Sequence, residues 1–296
     1  MSSLPATPTV NPPVSLPVPQ LARSLLFVPG DRPERYAKAL ASGAHDVVLD
    51  LEDAVAPAAK DAAREAVGAW LREGNQALVR VNAIDTPWFD DDMAMLRSVP
   101  GAGVMLPKAD TASTAHTLRV LPGRRVIALV ETVAGYLDLK ALVALDGLAR
   151  IAFGSVDFST ESGIADEGDA MTAIRTNIVL ASCHAGLEAP VDGVSLEFRD
   201  EAIMRADALR SRQLGFGGKL CIHPNQVAAV NGAYQPTAVE RDWAQRVLAA
   251  FQESRGAATA VDGKMIDKPV VERARRIAAT PSVMDSASCE KRPSAG

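Results

Sequence analysis

Several large classes of protein are excluded by what this chain lacks. Only three of its 296 residues are cysteine (Cys183, Cys221 and Cys289), and none stands in a CxxC spacing. That rules against a disulfide framework or a thiolate zinc site and fits a reduced, cytoplasmic protein. No apolar run reaches the roughly 18 residues of a membrane span. Neither a GxGxxG fingerprint nor a P-loop opens a helix, which argues against dinucleotide or NTP chemistry. There is no GxSxG elbow, and the four histidines (His45, His116, His184 and His223) show no metal-ligand spacing. Basic charge is not in excess: 31 Lys and Arg face 36 Asp and Glu, a formal net charge of -5. Nucleic acid and polybasic membrane binding are therefore not expected. Residues 1–20, rich in Pro, Ser, Thr and Val, lack the charged start and apolar core of a signal peptide. They read as a disordered or loosely packed extension, as does the tail from 281 to 296.

What the chain does have is alternation. Short apolar, branched runs recur at Ser24–Val28, Asp46–Leu51, Ala77–Val81, Gly103–Leu106, Val126–Val130 and Ile151–Phe153, with weaker ones at Pro190–Val194 and Gly218–Ile222. Helical stretches fall between them, for example at Pro57–Leu71, Thr111–Val120, Tyr136–Leu145, Ala170–Ala185 and Asp200–Leu214. Eight strand–helix pairs in single file predict an α/β protein, a (β/α)8 TIM barrel over residues 21–235, with a doubly wound open sheet as the alternative. Thr237 to Glu240 is a capping-box signal for a further helix to about Glu253. Another helix follows from about Pro269 to Ala279. These predict a C-terminal helical extension over 236–280, where Trp243, Val247, Leu248 and Phe251 form an apolar stripe facing the barrel or another chain.

The informative residues close the strands, because a barrel builds its site at the C-terminal face. Asp50, Glu52 and Asp53 close the second run, Arg80 and Asn82 the third, Lys108 the fourth, Glu131 the fifth and Asp157 the sixth. Glu131 and Asp157 are lone acids at the ends of buried runs. Converging there, they suit a hard divalent cation such as Mg2+. Arg80 can grip a carboxylate through its planar fork. Plainer roles exist for several of these. The three acids after the second run suit helix caps or salt bridges, Lys108 suits open surface, and His223 beside Pro224 suits a hydrogen-bonded positioning residue. Gly135 and Gly154 mark places where backbone approaches something closely.

The ordered set Leu26-Phe27-Val28-Pro29-Gly30, Leu49 to Val55, Arg80-Val81-Asn82, Leu106-Pro107-Lys108, Glu131-Thr132, Phe153 to Phe158 and Gly217-Gly218-Lys219 resembles the HpcH/HpaI aldolase and citrate lyase superfamily. The citrate lyase beta-subunit-like branch is the most similar. The resemblance covers about 25 to 279. It implies a barrel, a homotrimer, and Mg2+ held by Glu131 and Asp157, with Arg80 binding the carboxylate end of an acid substrate and Asp50 and Lys108 lining its place. Gly263-Lys264-Met265-Ile266-Asp267 resembles a segment offered to a neighbouring subunit's site, with Asp267 as acid/base. Arg35 and Lys38 on the first helix are candidates for a coenzyme A phosphate, although a solvated surface role suits them too.

The expected reaction is therefore cleavage of a citryl-, malyl- or citramalyl-CoA-like thioester into a 2-keto acid and an acyl-CoA. Two alternatives stay open: a metal-dependent class II aldolase that releases pyruvate without coenzyme A, and a citrate lyase beta subunit that needs partner chains.

Overall fold

The computed structural model describes residues 21–254 and 257–280; the expectations for 1–20 and 281–296 lie outside the described residues. Eight parallel strands close into a barrel: β1 (Ser24–Pro29), β2 (Asp46–Asp50), β3 (Leu78–Arg80), β4 (Gly103–Leu106), β5 (Val126–Val130), β6 (Leu148–Phe153), β7 (Glu188–Asp192) and β8 (Gly218–Cys221). Closure is made by β8 pairing with β1, with Leu26 opposite Cys221, and it removes the open sheet from consideration. The connecting helices are α1 (Tyr36–Leu40), α2 (Lys60–Arg72), α3 (Phe89–Ser98), α4 (Thr111–Val120), α5 (Val133–Leu137), α6 (Leu139–Leu142), α7 (Ser155–Ser162), α8 (Asp169–His184), α9 (Glu201–Leu214) and α10 (Asn225–Ala233).

Strand residues alternate between two cores, as a period of two requires. Leu25, Val48, Leu78, Met105, Ile127, Leu129, Ala152, Val191 and Leu220 fill the barrel interior. Their neighbours, such as Leu49, Val79, Val104, Ala128 and Ile151, pack outward against the helices. Both faces are buried, so β5 reads as a continuous apolar run. The lower end of the interior is stoppered by Arg150, fully buried, whose Nε donates to Ala189 O at 2.6 Å and Nη1 to Ala22 O at 2.7 Å.

Local differences from the sequence reading have physical causes. The helix expected over Tyr136–Leu145 is two short ones broken at Asp138, whose Oδ2 is tied to Thr111 N at 2.7 Å. Helix α7 fills what reads as the tail of a strand, and ends at Gly163 with φ +71°. The seventh strand lies two residues earlier than expected, Glu188–Asp192 in place of Pro190–Val194. Beyond the barrel, α11 (Ala238–Glu253), a hairpin of β9 (Thr259–Val261) and β10 (Lys264–Ile266), and α12 (Lys268–Ala279) complete the described chain. The apolar stripe of α11 does not face the barrel. Ala244 and Val247 bury against Ile266, Val271 and Ala274, with Trp243, Leu248 and Phe251 packed around that cluster.

Candidate active site at the mouth of the barrel

Strand parity decides which polar residues reach the mouth. Val48, Leu78 and Leu129 point inward, so Asp50, Arg80 and Glu131, two residues on, point inward one layer higher. The Arg80 guanidinium lies over the Phe27 ring at 4.8 Å, from β1. Arg80 Nε and Nη2 form a fork on Asp50, at 2.7 Å to Oδ1 and 2.6 Å to Oδ2. Asp50 also accepts from Glu52 N at 2.9 Å and Ala54 N at 3.2 Å, so it is fixed by the loop after β2. The fork expected to grip a substrate is therefore engaged within the protein. The nitrogen that remains, Nη1, is 3.2 Å from Glu52 Oε2.

Glu52 and Glu131 are the unusual groups. Glu52 is buried, yet neither carboxylate oxygen has a hydrogen-bond partner; its charge partners are Arg80 and, at 3.4 Å, Lys108 Nζ. Burial pushes its carboxyl up to about 7, with Asp53 and Asp50 reinforcing the shift against Arg80 and Lys108. Glu131 is 3% exposed, and Lys108 N donates to its Oε1 at 2.8 Å. Burial and the charge of Glu52 push it up to about 8, opposed by the Lys108 N–H and Arg80 and assisted by Asp157. To present that N–H, Lys108 adopts φ +48°, a conformation uncommon for a residue with a side chain. Gly154 supplies the space for Glu131: a Cβ there would stand 2.4 Å from Glu131 Cβ and 2.7 Å from Oε2.

The other candidates divide. Asp157 is not at a strand end; it sits in the first turn of α7, exposed. Asn82 turns away from the mouth and is held by Asp92 Oδ2 at 2.7 Å. His223 Nδ1 accepts from Asn225 N at 3.2 Å, and the ring stacks on Phe198. Arg35 and Lys38 lie exposed on the first helical segment. Asp267 caps α12, accepting from Val270 N, in the C-terminal helix pair. Sequence reading missed Lys60, whose buried Nζ donates to Leu51 O and Glu52 O, both at 2.7 Å, and pins the acidic loop. A contact across eight and nine residues leaves no periodic signal. Phe27 was visible as a strand and motif residue but not as a partner of Arg80.

Among the described residues no three His, Cys, Asp or Glu side chains gather into a complete metal cage. The donor set at the mouth still fits a hard cation: Glu131, buried and under-neutralised, offers carboxylate oxygens only, and Asp157 in the first turn of α7 stands near enough for its charge to raise that carboxyl. A parallel eight-stranded barrel with acids and an arginine at its C-terminal face defines a (β/α)8 enzyme. The pattern of the HpcH/HpaI aldolase/citrate lyase family matches residues 23–224. A citrate lyase subunit beta-like protein of Mycobacterium tuberculosis (strain ATCC 25618 / H37Rv) is 39% identical over 256 residues, 84% of this chain and 92% of its own. A (3S)-malyl-CoA thioesterase of Cereibacter sphaeroides (strain KD131 / KCTC 12085) is 33% identical over 265 residues, covering 86% and 92%. The crystal structure of CitE from Mycobacterium tuberculosis in complex with magnesium, acetoacetate and coenzyme A superposes with a TM-score of 0.76 at 36% identity, covering 87% of this chain and 97% of that one. The chain belongs to the HpcH/HpaI aldolase/citrate lyase family and is a carbon–carbon lyase.

Proposed function

We propose that this protein is a Mg2+-dependent lyase that cleaves a 3-hydroxyacyl-CoA thioester of the citryl-, malyl- or citramalyl-CoA type into a 2-keto acid and an acyl-CoA. The observation that carries the reading is the pair of buried carboxyls, Glu52 and Glu131, pushed up to about 7 and 8 beside a pre-set Arg80. A relative crystallised with magnesium, acetoacetate and coenzyme A, and another named for malyl-CoA, support the choice of substrate class.

Glu131 and Asp157 are the residues that would hold Mg2+. When bound, the ion supplies Lewis-acid polarisation at the oxygen that becomes the keto group. The protein's own groups do the rest. Asp50 locks Arg80 in place, so Nη1 meets the substrate carboxylate with little orientational freedom left to lose. Glu52 holds that nitrogen until substrate arrives, and Lys108 stands at the rim with its side chain half exposed. The 3-hydroxyl proton passes to a base, the carbon–carbon bond breaks, and its electron pair becomes the enolate of the acyl thioester, which a proton then quenches. Asp267, which caps α12 in its own chain, serves as that base from a neighbouring subunit of a homotrimer. Arg35 and Lys38, exposed, meet the coenzyme A phosphates. Cys183 and Cys221, both unpaired, are in keeping with a cytoplasmic setting, and no described helix is long and apolar enough to cross a membrane.

The test is turnover of citramalyl-, malyl- and citryl-CoA with and without Mg2+, following keto acid and free thiol. Mg2+-dependent keto acid release from one thioester, without free thiol, is the expected result. Release of thiol alone would mean hydrolysis and overturn the lyase reading. Inactivity on all three, with pyruvate condensing with an aldehyde, would replace it with an aldolase.

A further inference from the structure

At the end of the barrel opposite the mouth, a cavity of about 910 Å3 opens between the C-terminal turn of α9, the Phe216–Gly217 loop, the end of α10 and the last turns of α12. Its lining includes four arginines, Arg23, Arg212, Arg273 and Arg276, and one acid, Glu240. That acid is already committed. Its carboxylate takes Arg212 Nη2 at 2.9 and 3.0 Å and Thr237 N at 2.7 Å, closing the cap of α11.

Arg23 is the decisive residue. It is only 6% exposed, its Nη1 is buried without a hydrogen bond, and among the described residues its side chain has no ion-pair partner. Burial, with the neighbouring charges of Arg241 and Arg212, works against its proton. A buried guanidinium left unpaired is costly, and it is retained where something else completes it. Arg241 is itself occupied with Thr280 O at 2.8 Å and Gln235 Oε1 at 3.1 Å, and Arg273 with the Trp243 ring at 5.2 Å. Among the described residues the lining carries more positive than negative charge, and the forked donors of arginine match oxyanions.

We infer that this cavity is a second ligand site, for a polyvalent oxyanion (a phosphorylated or polycarboxylate small molecule), with Arg23 and Arg276 as its principal contacts. Its volume lies in the range of small-molecule sites, and Leu21, Phe216 and Ile277 offer an apolar wall for the body of such a ligand. The site joins the barrel to α12, so an anion there clamps the C-terminal pair to the base of the barrel.

The experiment is thermal unfolding and calorimetric titration of the full chain with inorganic pyrophosphate and with citrate, in chloride buffer without divalent ions. Expected is a dose-dependent rise in Tm with at least one probe, weakened about 10- to 100-fold in affinity by Arg23→Met and by Arg276→Met. The response should persist in Lys108→Met, at the other end of the barrel. Pyrophosphate acting more strongly than citrate assigns a phosphorylated ligand; the reverse order assigns a polycarboxylate. In anion-free buffer Arg23→Met should melt no lower than the parent, because it removes an unpaired charge, whereas an arginine with a structural role would leave a less stable variant. No response in the parent, or equal responses in parent, Arg23→Met and Arg276→Met, overturns the proposal. So does binding that emerges only in Asp285→Asn/Glu290→Gln, which would give the cavity to the chain's own acidic residues after Thr280.

Discussion

Two clusters of buried charge sit near the ends of barrel strands, and they are built from the same materials to opposite effect. At the mouth, Asp50, Glu52 and Glu131 share Arg80 and the half-exposed Lys108. Under helices α8 and α9, Asp192 and Asp207 share Arg175 and Lys219. In the second cluster the cations are as buried as the acids. Arg175 Nε reaches Asp192 Oδ1 at 2.9 Å, and Lys219 Nζ reaches Asp207 Oδ2 at 2.9 Å. Burial alone would raise both carboxyls there, but Lys219, Arg175 and the hydrogen bonds win: Asp192 is lowered, and Asp207 falls to about 2. At the mouth burial wins instead, and Glu52 and Glu131 rise to about 7 and 8. Full neutralisation marks a strut, and a charge deficit marks a site awaiting a ligand.

The contrast breaks most visibly at Glu131. Glu131→Gln should lower Mg2+-dependent turnover by about three orders of magnitude or more, as loss of an electrostatic anchor does, while leaving Tm unchanged or raised. Steady-state kinetics and calorimetric melting check the two halves. Next in size is the strut: Arg175→Met should cost about 3–5 kcal/mol in urea unfolding, because Asp192 is left as an uncompensated buried charge. A double variant with Asp192→Asn should recover part of that loss, and a simple sum of two losses would show that the pair is not coupled. Glu52→Gln should shift stability by less than about 1 kcal/mol, or favourably, since it removes a buried carboxyl that makes no hydrogen bond. A loss as large as that of Arg175→Met would erase the distinction between the clusters.

The smallest effect is a tilt with pH. Glu52 and Glu131 bind protons in the folded state up to about 7 and 8 but only to 4.5 when unperturbed, so the folded protein holds more protons between those limits. Without metal, stability should therefore fall as pH rises from about 5 to 8, and added Mg2+ should flatten the slope. Asp207 works in the other direction. Its folded value of about 2 lies below the ordinary 3.8, so its contribution is present above pH 4 and lost as pH drops toward 2. Urea midpoints across that range read both limbs.

How much of this was legible beforehand depends on the range of the interaction. Strand order and the inward turn of Asp50, Arg80 and Glu131 follow from period-two alternation and from polar residues ending apolar runs, both local signals. The ordered motifs pointed to the family that residues 23–224 match. What sequence could not show is pairing across strands. Arg80 read as a free fork, and only the register of β2 against β3, Asp50 opposite Arg80, shows the fork engaged. Asp157 read as a strand end because Ser155–Phe158 follows directly on the apolar run, while the chain turns into α7 at Gly154, where only a glycine leaves room for Glu131. The apolar stripe on α11 had its partner beyond a hairpin, out of reach of any periodicity.

The stopper formed by Arg150 has a consequence for traffic. With its guanidinium bonded to Ala22 O and Ala189 O and the layer above it filled by apolar side chains, the barrel is a vessel with one opening. Whatever settles against Arg80 and Glu131 must leave by the route it entered. Two products of one cleavage would share that single exit, and the one nearer the rim would have to clear it before the deeper one could follow.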